Sequence, residues 1–254
     1  MYTALMSELQ SDTASVEKIA RLVSKDVGIT AKLLQMVNSA FFGLPTQVES
    51  PLQAVNLLGF DTVQGLVLAA GTYSRLEADG LPGLSIDGIY PHSMAVGTGA
   101  QKIAKALDLD KRKAQDALMA GLLHDIGHLV MLRYFRPELQ EALKLSGGVW
   151  SELIGAEQQV LGATHAEIGA HLLSLWGLPD SIVEAVAYHH VPSQTPHPMI
   201  DVLTAVHLAN AFERDHDGVE ETHVDLIDNT YITNLGLSER LASLREASPA
   251  PVAE

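Results

Sequence analysis

The sequence predicts an all-α protein on three observations. Apolar residues recur with the helical period along most of the chain, capping signals punctuate that pattern, and no alternating stretch is long enough for a useful strand. With 254 residues, 47% hydrophobic and 19% charged, there is ample material for a buried core in one large domain or two modest ones.

The elements follow in order. In VEKIARLV, Val16, Ile19, Ala20 and Val23 line one face and Glu17, Lys18 and Arg21 the other. A helix over Thr30–Asn38 carries Leu33, Leu34 and Val37, and Asn38 and Ser39 bond nearby backbone to end it. Ser50-Pro51 reads as an N-cap followed by proline at the first helical position, where its missing N–H costs nothing. That helix is expected to bury Leu52, Val55 and Leu58 and to stop at Gly59. The helix Asp61–Leu76 is small and apolar throughout. ADGLPGLSIDG (Ala78–Gly88) is a Gly- and Pro-rich connection. Helices are then expected at Pro91–Leu107, Asp110–Tyr134, Pro137–Leu145, Trp150–Leu161, Thr164–Trp176, Pro179–His189, Pro198–Arg214 and Ser238–Arg245. Thr164 and Glu167 have capping-box spacing. The terminal SPAPVAE is expected to be disordered, and no internal repeat is present.

Composition excludes several classes. Cysteine is absent, so there is no disulfide framework and no thiolate ligand. No apolar stretch spans a bilayer and no signal peptide is apparent, which predicts a soluble cytoplasmic protein without a membrane partner. A formal net charge of −15 with no basic cluster argues against nucleic-acid binding.

Most of the 11 histidines fall between residues 92 and 207. His124-Asp125 sits in LLHDIGHLV, in apolar surroundings and in the middle of an expected helix. A buried aspartate there requires a partner or a metal. His189-His190 ends a helix just before Pro192. Imidazole and carboxylate together suit first-row divalent metals, whose bound water attacks phosphoesters. Two other readings stand beside this one: His124 and His128 chelating at i, i+4, or Asp125 as a structural aspartate bonded to His92 or a helix end.

The order His92, His124-Asp125, His165, His189-His190 resembles the HD superfamily of metal-dependent phosphohydrolases, particularly its HD-GYP members. The whole chain is similar to an HDOD domain. The resemblance is carried by KDVGITAKLLQMVNSAFFG (Lys25–Gly43), SPLQAVNLLGFDTVQGLVL (Ser50–Leu68), HSMAVGTGAQKIA (His92–Ala104), AGLLHDIGHLV (Ala120–Val130), HAEIGAHLLSLWGLP (His165–Pro179) and AVAYHHVP (Ala185–Pro192). It implies a multi-helical HDOD/HD-like fold in two helical subdomains, 1–86 and 87–235, the second with the His/Asp cluster. Residues 236–254 then form a terminal helix and tail.

The same resemblance implies a metal-ligand set of His92, His124, Asp125, His165, His189 and His190. His207 stands where the HD families place a final aspartate. The set would hold one or two divalent ions of iron, manganese or zinc. Three departures bear on catalysis: His128 replaces the lysine that follows the HD pair in HD-GYP enzymes, Gly88 stands where a glutamate precedes His92, and VPSQTPHP replaces the GYP loop. Arg112 and Arg133 are the arginines nearest the motif.

The favoured reading is therefore a signal-transduction module with little or no catalysis and no assigned catalytic residue. It would act through signalling proteins, and its opening resembles HDOD regions that follow a phospho-receiver domain in response regulators. The receiver would be fused or separate. An apolar stripe of Tyr2, Leu5, Met6 and Leu9 without an N-cap fits an upstream segment or a homodimer equally. The alternative is a metal-dependent phosphohydrolase acting on a cyclic dinucleotide or another nucleotide. A third reading is a sensor that binds such a ligand without cleaving it.

Overall fold

A computed structural model describes residues 16–25, 27–39, 42–75, 80–214 and 226–248. The fold is all-α. Among the described residues there is no strand, only an isolated bridge between Leu81 and Leu84. The stripe of Tyr2, Leu5, Met6 and Leu9 and the tail beyond Ser248 lie outside the described residues, as do the side chains of Val16 and Ile19. The chain separates into two compact units, dividing between Glu77 and Ala78.

The first unit contains α1 (Val16–Val23), α2 (Val27–Val37), α3 (Pro51–Leu58) and α4 (Phe60–Arg75). Asn38 ends α2 and pins the following loop: its amide donates to the Val48 carbonyl at 2.8 Å and accepts from the Val48 N–H at 2.7 Å. Ser50 caps α3, accepting from the Gln53 N–H at 3.2 Å, and Gly59 closes that helix at φ +85°. The expected buried face of α3 needs correcting. Pro51, Ala54 and Val55 are buried, whereas Leu52 is 45% exposed and Leu58 half-buried. The small Ala54, rather than the leucines, faces the neighbouring helices, so the leucines are rotated outward.

The second unit is built on a helical hairpin of α5 (Ile86–Ala106) and α6 (Lys111–Leu123), with Asp110 capping α6 through a 2.9 Å bond from the Lys113 N–H. Its connection from Ala78 is part of the same unit: Ser85 caps α5, and Arg136 donates to the Gly80 carbonyl. A Cβ at Gly121 would fall 2.6 Å from the Gly97 Cα, so α5 and α6 cross backbone to backbone. This crossing brings His92 on α5 beside His124 at the end of α6. The remaining helices are α7 (Ile126–Tyr134), α8 (Arg136–Leu145), α9 (Trp150–Leu161), α10 (His165–Leu175), α11 (Asp180–Tyr188), α12 (Val202–Arg214), α13 (Asn229–Asn234) and α14 (Leu241–Ala247). The nearly wholly buried α12 packs on α5, α6 and α11, and α10 packs on α7 and α11.

Two expectations change here. The helix Asp110–Tyr134 is interrupted at His124-Asp125, which forms a turn between α6 and α7. The break re-aims α7 so that Gly127 meets α10, where a Cβ would stand 1.9 Å from the His165 carbonyl oxygen. The helix α13 was not anticipated. It is held by buried Tyr231, whose hydroxyl donates to the Met199 carbonyl at 3.1 Å and lies 2.8 Å from the Thr204 hydroxyl.

The Gly97–Gly121 crossing makes a quantitative expectation. Gly121→Ala forces α5 and α6 apart and destabilises by about 1–3 kcal/mol. Gly155→Ala lies on exposed helix surface with nothing within 4 Å and stabilises by about 0.5–1 kcal/mol. Urea denaturation of the two variants reads the opposite signs.

Candidate metal centre

Asp125 occupies the N-cap position of α7, yet its side chain makes no cap bond. It turns inward instead and is 2% exposed. Six basic side chains face it. Its Oδ2 lies 3.4 Å from His124 Nε2, 3.6 Å from His92 Nε2 and 3.6 Å from Arg214 Nη2. Its Oδ1 lies 3.4 Å from His165 Nε2, 3.7 Å from His128 Nδ1 and 3.9 Å from His189 Nε2. These separations are too long for good hydrogen bonds, and Oδ1 has no hydrogen-bond partner. Burial alone would raise the Asp125 pKa, but the facing His124, His165 and His128 hold it well below the usual carboxylate range.

The histidines are oriented by what their other ring nitrogen meets. His124 Nδ1 donates to the Gly121 carbonyl at 2.7 Å, and His189 Nδ1 to the Val186 carbonyl at 2.8 Å. His165 Nδ1 donates to Glu157 at 2.7 Å, and His92 Nδ1 donates to Glu213. A carbonyl or carboxylate partner requires a proton on Nδ1, so in the neutral ring the lone pair is on Nε2. All four Nε2 atoms turn toward Asp125. Anchoring of the outer nitrogen by oxygen is how metal-ligating histidines are held.

Two pairs of these nitrogens approach closely: His92 and His124 Nε2 at 3.1 Å, and His165 and His190 Nε2 at 3.1 Å. Ring nitrogens at this distance share a proton or a cation. Two nitrogens about 2.1 Å from one ion, at right angles to each other, stand about 3.0 Å apart. Ligand atoms fall within 4.8 Å of one another in three sets: Asp125, His165, His189 and His190; His92, His124 and Asp125; and His128, Glu157 and His165. The unpartnered Asp125 Oδ1 and His189 Nε2 complete the fit to a divalent ion. Nitrogen with carboxylate oxygen is a donor set for iron, manganese or zinc.

Six of the seven residues singled out from the sequence thus come together. His207 does not join them. Its Nδ1 donates to the His189 carbonyl at 2.8 Å and its Nε2 accepts from the Asp228 N–H at 3.0 Å, so neither nitrogen is free for a metal. It buttresses the His189 backbone instead. His124 and His128 also fall in different sets, which removes the local i, i+4 chelate: the helix break points them to opposite sides of Asp125.

Sequence reasoning missed Glu157, Glu213 and Arg214. Glu157 is fully buried on α9, accepting from His128 Nε2 at 3.0 Å and from both the backbone N–H and Nδ1 of His165 at 2.8 and 2.7 Å. Its position on the Leu153–Ala156–Val160 face was the available signal. Burial would raise its pKa, but His165 and His128 drive it far down. Burial lowers the pKa of His165, and Glu157 and Asp125 outweigh it, raising the imidazole to about 10. Burial dominates at His189 and His190, which fall well below the usual range. Arg214, not the exposed Arg112, is the arginine at the site.

Residues 1–192 match the HDOD domain family. The chain belongs to that family. Among curated relatives, an uncharacterised protein of Treponema pallidum is 26% identical over 212 residues, covering 83% of this HDOD chain and 40% of its own. Ribonuclease Y of Aquifex aeolicus is 27% identical over 120 residues, covering 47% of this chain and 16% of its own. The chain therefore spans less than half the length of these relatives. Among solved structures, an HDOD domain protein of unknown function from Geobacter sulfurreducens aligns with a TM-score of 0.71 at 19% identity, over 99% of this chain and 91% of its own. A candidate phosphohydrolase of Shewanella amazonensis aligns at 0.71 and 21%, over 98% and 92%. A candidate signal transduction protein of Marinobacter aquaeolei aligns at 0.68 and 22%, over 97% and 56%. These similarities establish the shared fold. No described helix is long and apolar enough to cross a membrane.

Glu157 supplies the test of this geometry. Glu157→Gln places an N–H donor against the donors of either His165 or His128, which meet different oxygens of the carboxylate, and breaking such a buried pair costs about 3–5 kcal/mol. The expected outcome is a clear fall in thermal midpoint of the metal-free protein. An unchanged midpoint would contradict the buried bonding described above.

Proposed function

We propose that this HDOD chain is a bacterial signal-transduction module that acts in the cytoplasm through protein partners, with a divalent-metal pocket and little or no catalysis. One observation carries the metal: four histidines aim Nε2 at a single buried carboxylate, with every Nδ1 tied back to oxygen. Asp125, His92, His124, His165, His189 and His190 would hold the ion or ions, and His207 would stand behind them. An ion held there would supply Lewis acidity toward a phosphoryl oxygen.

What argues against turnover is the rest of the site. His124, Asp125, His165 and His189 are at most 2% exposed, which leaves only the half-buried His92 and His190 among the ligands for a phosphodiester to approach. His128, where HD-GYP enzymes have lysine, is also buried and bonded to Glu157, and so is turned away from any substrate phosphate. The metal would then hold α5, α6, α10 and α11 in one arrangement for a partner to read. A receiver domain, fused or separate, suits the resemblance of the N-terminal region, and a homodimer suits its apolar stripe.

The phosphohydrolase reading retains one specific support. Asp125 offers Oδ2 to the His92–His124 set and Oδ1 to the His165–His189–His190 set, as a carboxylate bridging two ions would. Its substrate would be a cyclic dinucleotide or another nucleotide.

Elemental analysis of protein purified without added metal, followed by a phosphodiesterase screen, separates these readings. The expected result is bound divalent metal, lost in Asp125→Ala, with cyclic di-GMP turnover below about 1 per second. Faster turnover that Asp125→Ala abolishes would establish the enzyme instead.

Metal uptake should also depend on pH in a defined direction. His165 keeps its proton to about pH 10 in the metal-free chain, while buried His189 and His190 are already neutral. Binding at His165 Nε2 expels that proton, so affinity rises with pH through the neutral range. Titration calorimetry in buffers of different ionisation enthalpy should show about one proton released per ion near pH 7. No release would show that His165 is not a ligand.

A further inference from the structure

The two ligand sets that share Asp125 are not equivalent. In the inner set, Asp125 Oδ1 and His189 Nε2 are buried with no hydrogen-bond partner. In the outer set, His92 and Asp125 already face a cation: Arg214 Nη2 lies 3.3 Å from His92 Nε2 and 3.6 Å from Asp125 Oδ2. The geometry points to Arg214 as a built-in substitute for a second metal ion, so that the chain holds a single ion in the Asp125–His165–His189–His190 half. This inference rests on the metal reading proposed above.

Three features hold the guanidinium in that role. Arg214 is 8% exposed, at the end of α12, and its Cζ lies 4.1 Å from the centre of the Trp150 ring, so the charge is stacked and fixed rather than swinging in solvent. Guanidinium is a permanent cation with five donors and no acceptor, and it cannot lose a proton to make room for another positive charge. Finally, Glu213, the preceding residue, accepts a hydrogen bond from His92 Nδ1, which leaves His92 Nε2 as the acceptor that Arg214 meets. An ion bound by His92, His124 and Asp125 Oδ2 would compete for the lone pairs that Nη2 faces and would stand against an undischargeable like charge. No arginine is placed in this way against the inner set among the described contacts.

The shared carboxylate then bridges two cations of different kinds, a metal ion on Oδ1 and a guanidinium on Oδ2. The outer histidines would orient and shield Asp125 rather than ligate.

The test uses the full chain loaded with Mn²⁺, desalted and examined for metal content and by electron paramagnetic resonance. The wild-type chain is expected to carry one ion with the six-line signal of isolated Mn²⁺. His92→Ala should leave that ion in place, and His189→Ala should lose it. Arg214→Met, which removes the charge and keeps an unbranched apolar stem against Trp150, should admit a second ion and give a spin-coupled signal. Two ions in the wild-type chain overturn the inference and leave the metal reading intact. So does an ion count of one in folded Arg214→Met, or loss of the wild-type ion in His92→Ala. These wild-type and histidine results decide the matter even if Arg214→Met does not fold. No ion in any of the chains overturns both the inference and the metal reading.

Discussion

A carboxylate with almost no exposure, placed among α5, α6, α7, α10, α11 and α12, sets the demands that the rest of this unit answers. Asp125 is the residue that would ordinarily cap α7, and a cap bond would have satisfied it locally. Turned inward, its charge is costly to bury unless cations or donors surround it. Histidines from α5, from the α6–α7 turn, from the start of α10 and from the end of α11 supply that surround, and Arg214 adds a permanent charge from α12. One side chain thereby couples helices that are distant in sequence. Without an ion, the charge of Asp125 is met by protonated His165 and by Arg214. This gives the pocket a structural consequence whether or not it turns over a substrate.

Convergence of this kind needs backbones closer than side chains normally permit. Gly97 and Gly121 let α5 and α6 touch, which sets His92 against His124. Gly127 does the same between α7 and α10, which sets His165 against Asp125. A methyl group at any of these positions would enter space held by backbone atoms, not by a flexible side-chain end, except at Gly97, where the Leu122 side chain is the nearest atom. The glycines therefore belong to the site as positioning residues, although none could touch a ligand.

Much of this was legible in the sequence. The capping box at Thr164 and Glu167, the Ser50-Pro51 start and the helix Trp150–Leu161 are local features, decided by residues within a turn or two, and they stand as read. What failed was decided at long range. Apolar periodicity runs through LLHDIGHLV without interruption, so nothing local marks the break at His124-Asp125; contact with α10 imposes it. Glu157 looks like an ordinary helical glutamate, and only its register with Leu153 and Ala156 hints that it is buried. His207 stands where the resemblance implies a ligand, but its bonds to His189 and Asp228 consume both nitrogens. Residue type proposed it, and hydrogen-bond accounting removes it.

His128 shows how a departure from the HD-GYP pattern changes what a position does. A lysine there would carry a charge on a long stem, suited to meeting a phosphate. The imidazole is fully buried, lies parallel to His165 with centroids 3.8 Å apart and an interplanar angle of 21°, and shares Glu157 with it. Burial depresses its pKa, and the charge of neighbouring His165 presses in the same direction. A neutral ring can stack on a proton-bearing imidazole at this distance, whereas an ammonium would add a second buried charge beside it. His128 thus supports the Glu157 platform that aims His165 at Asp125.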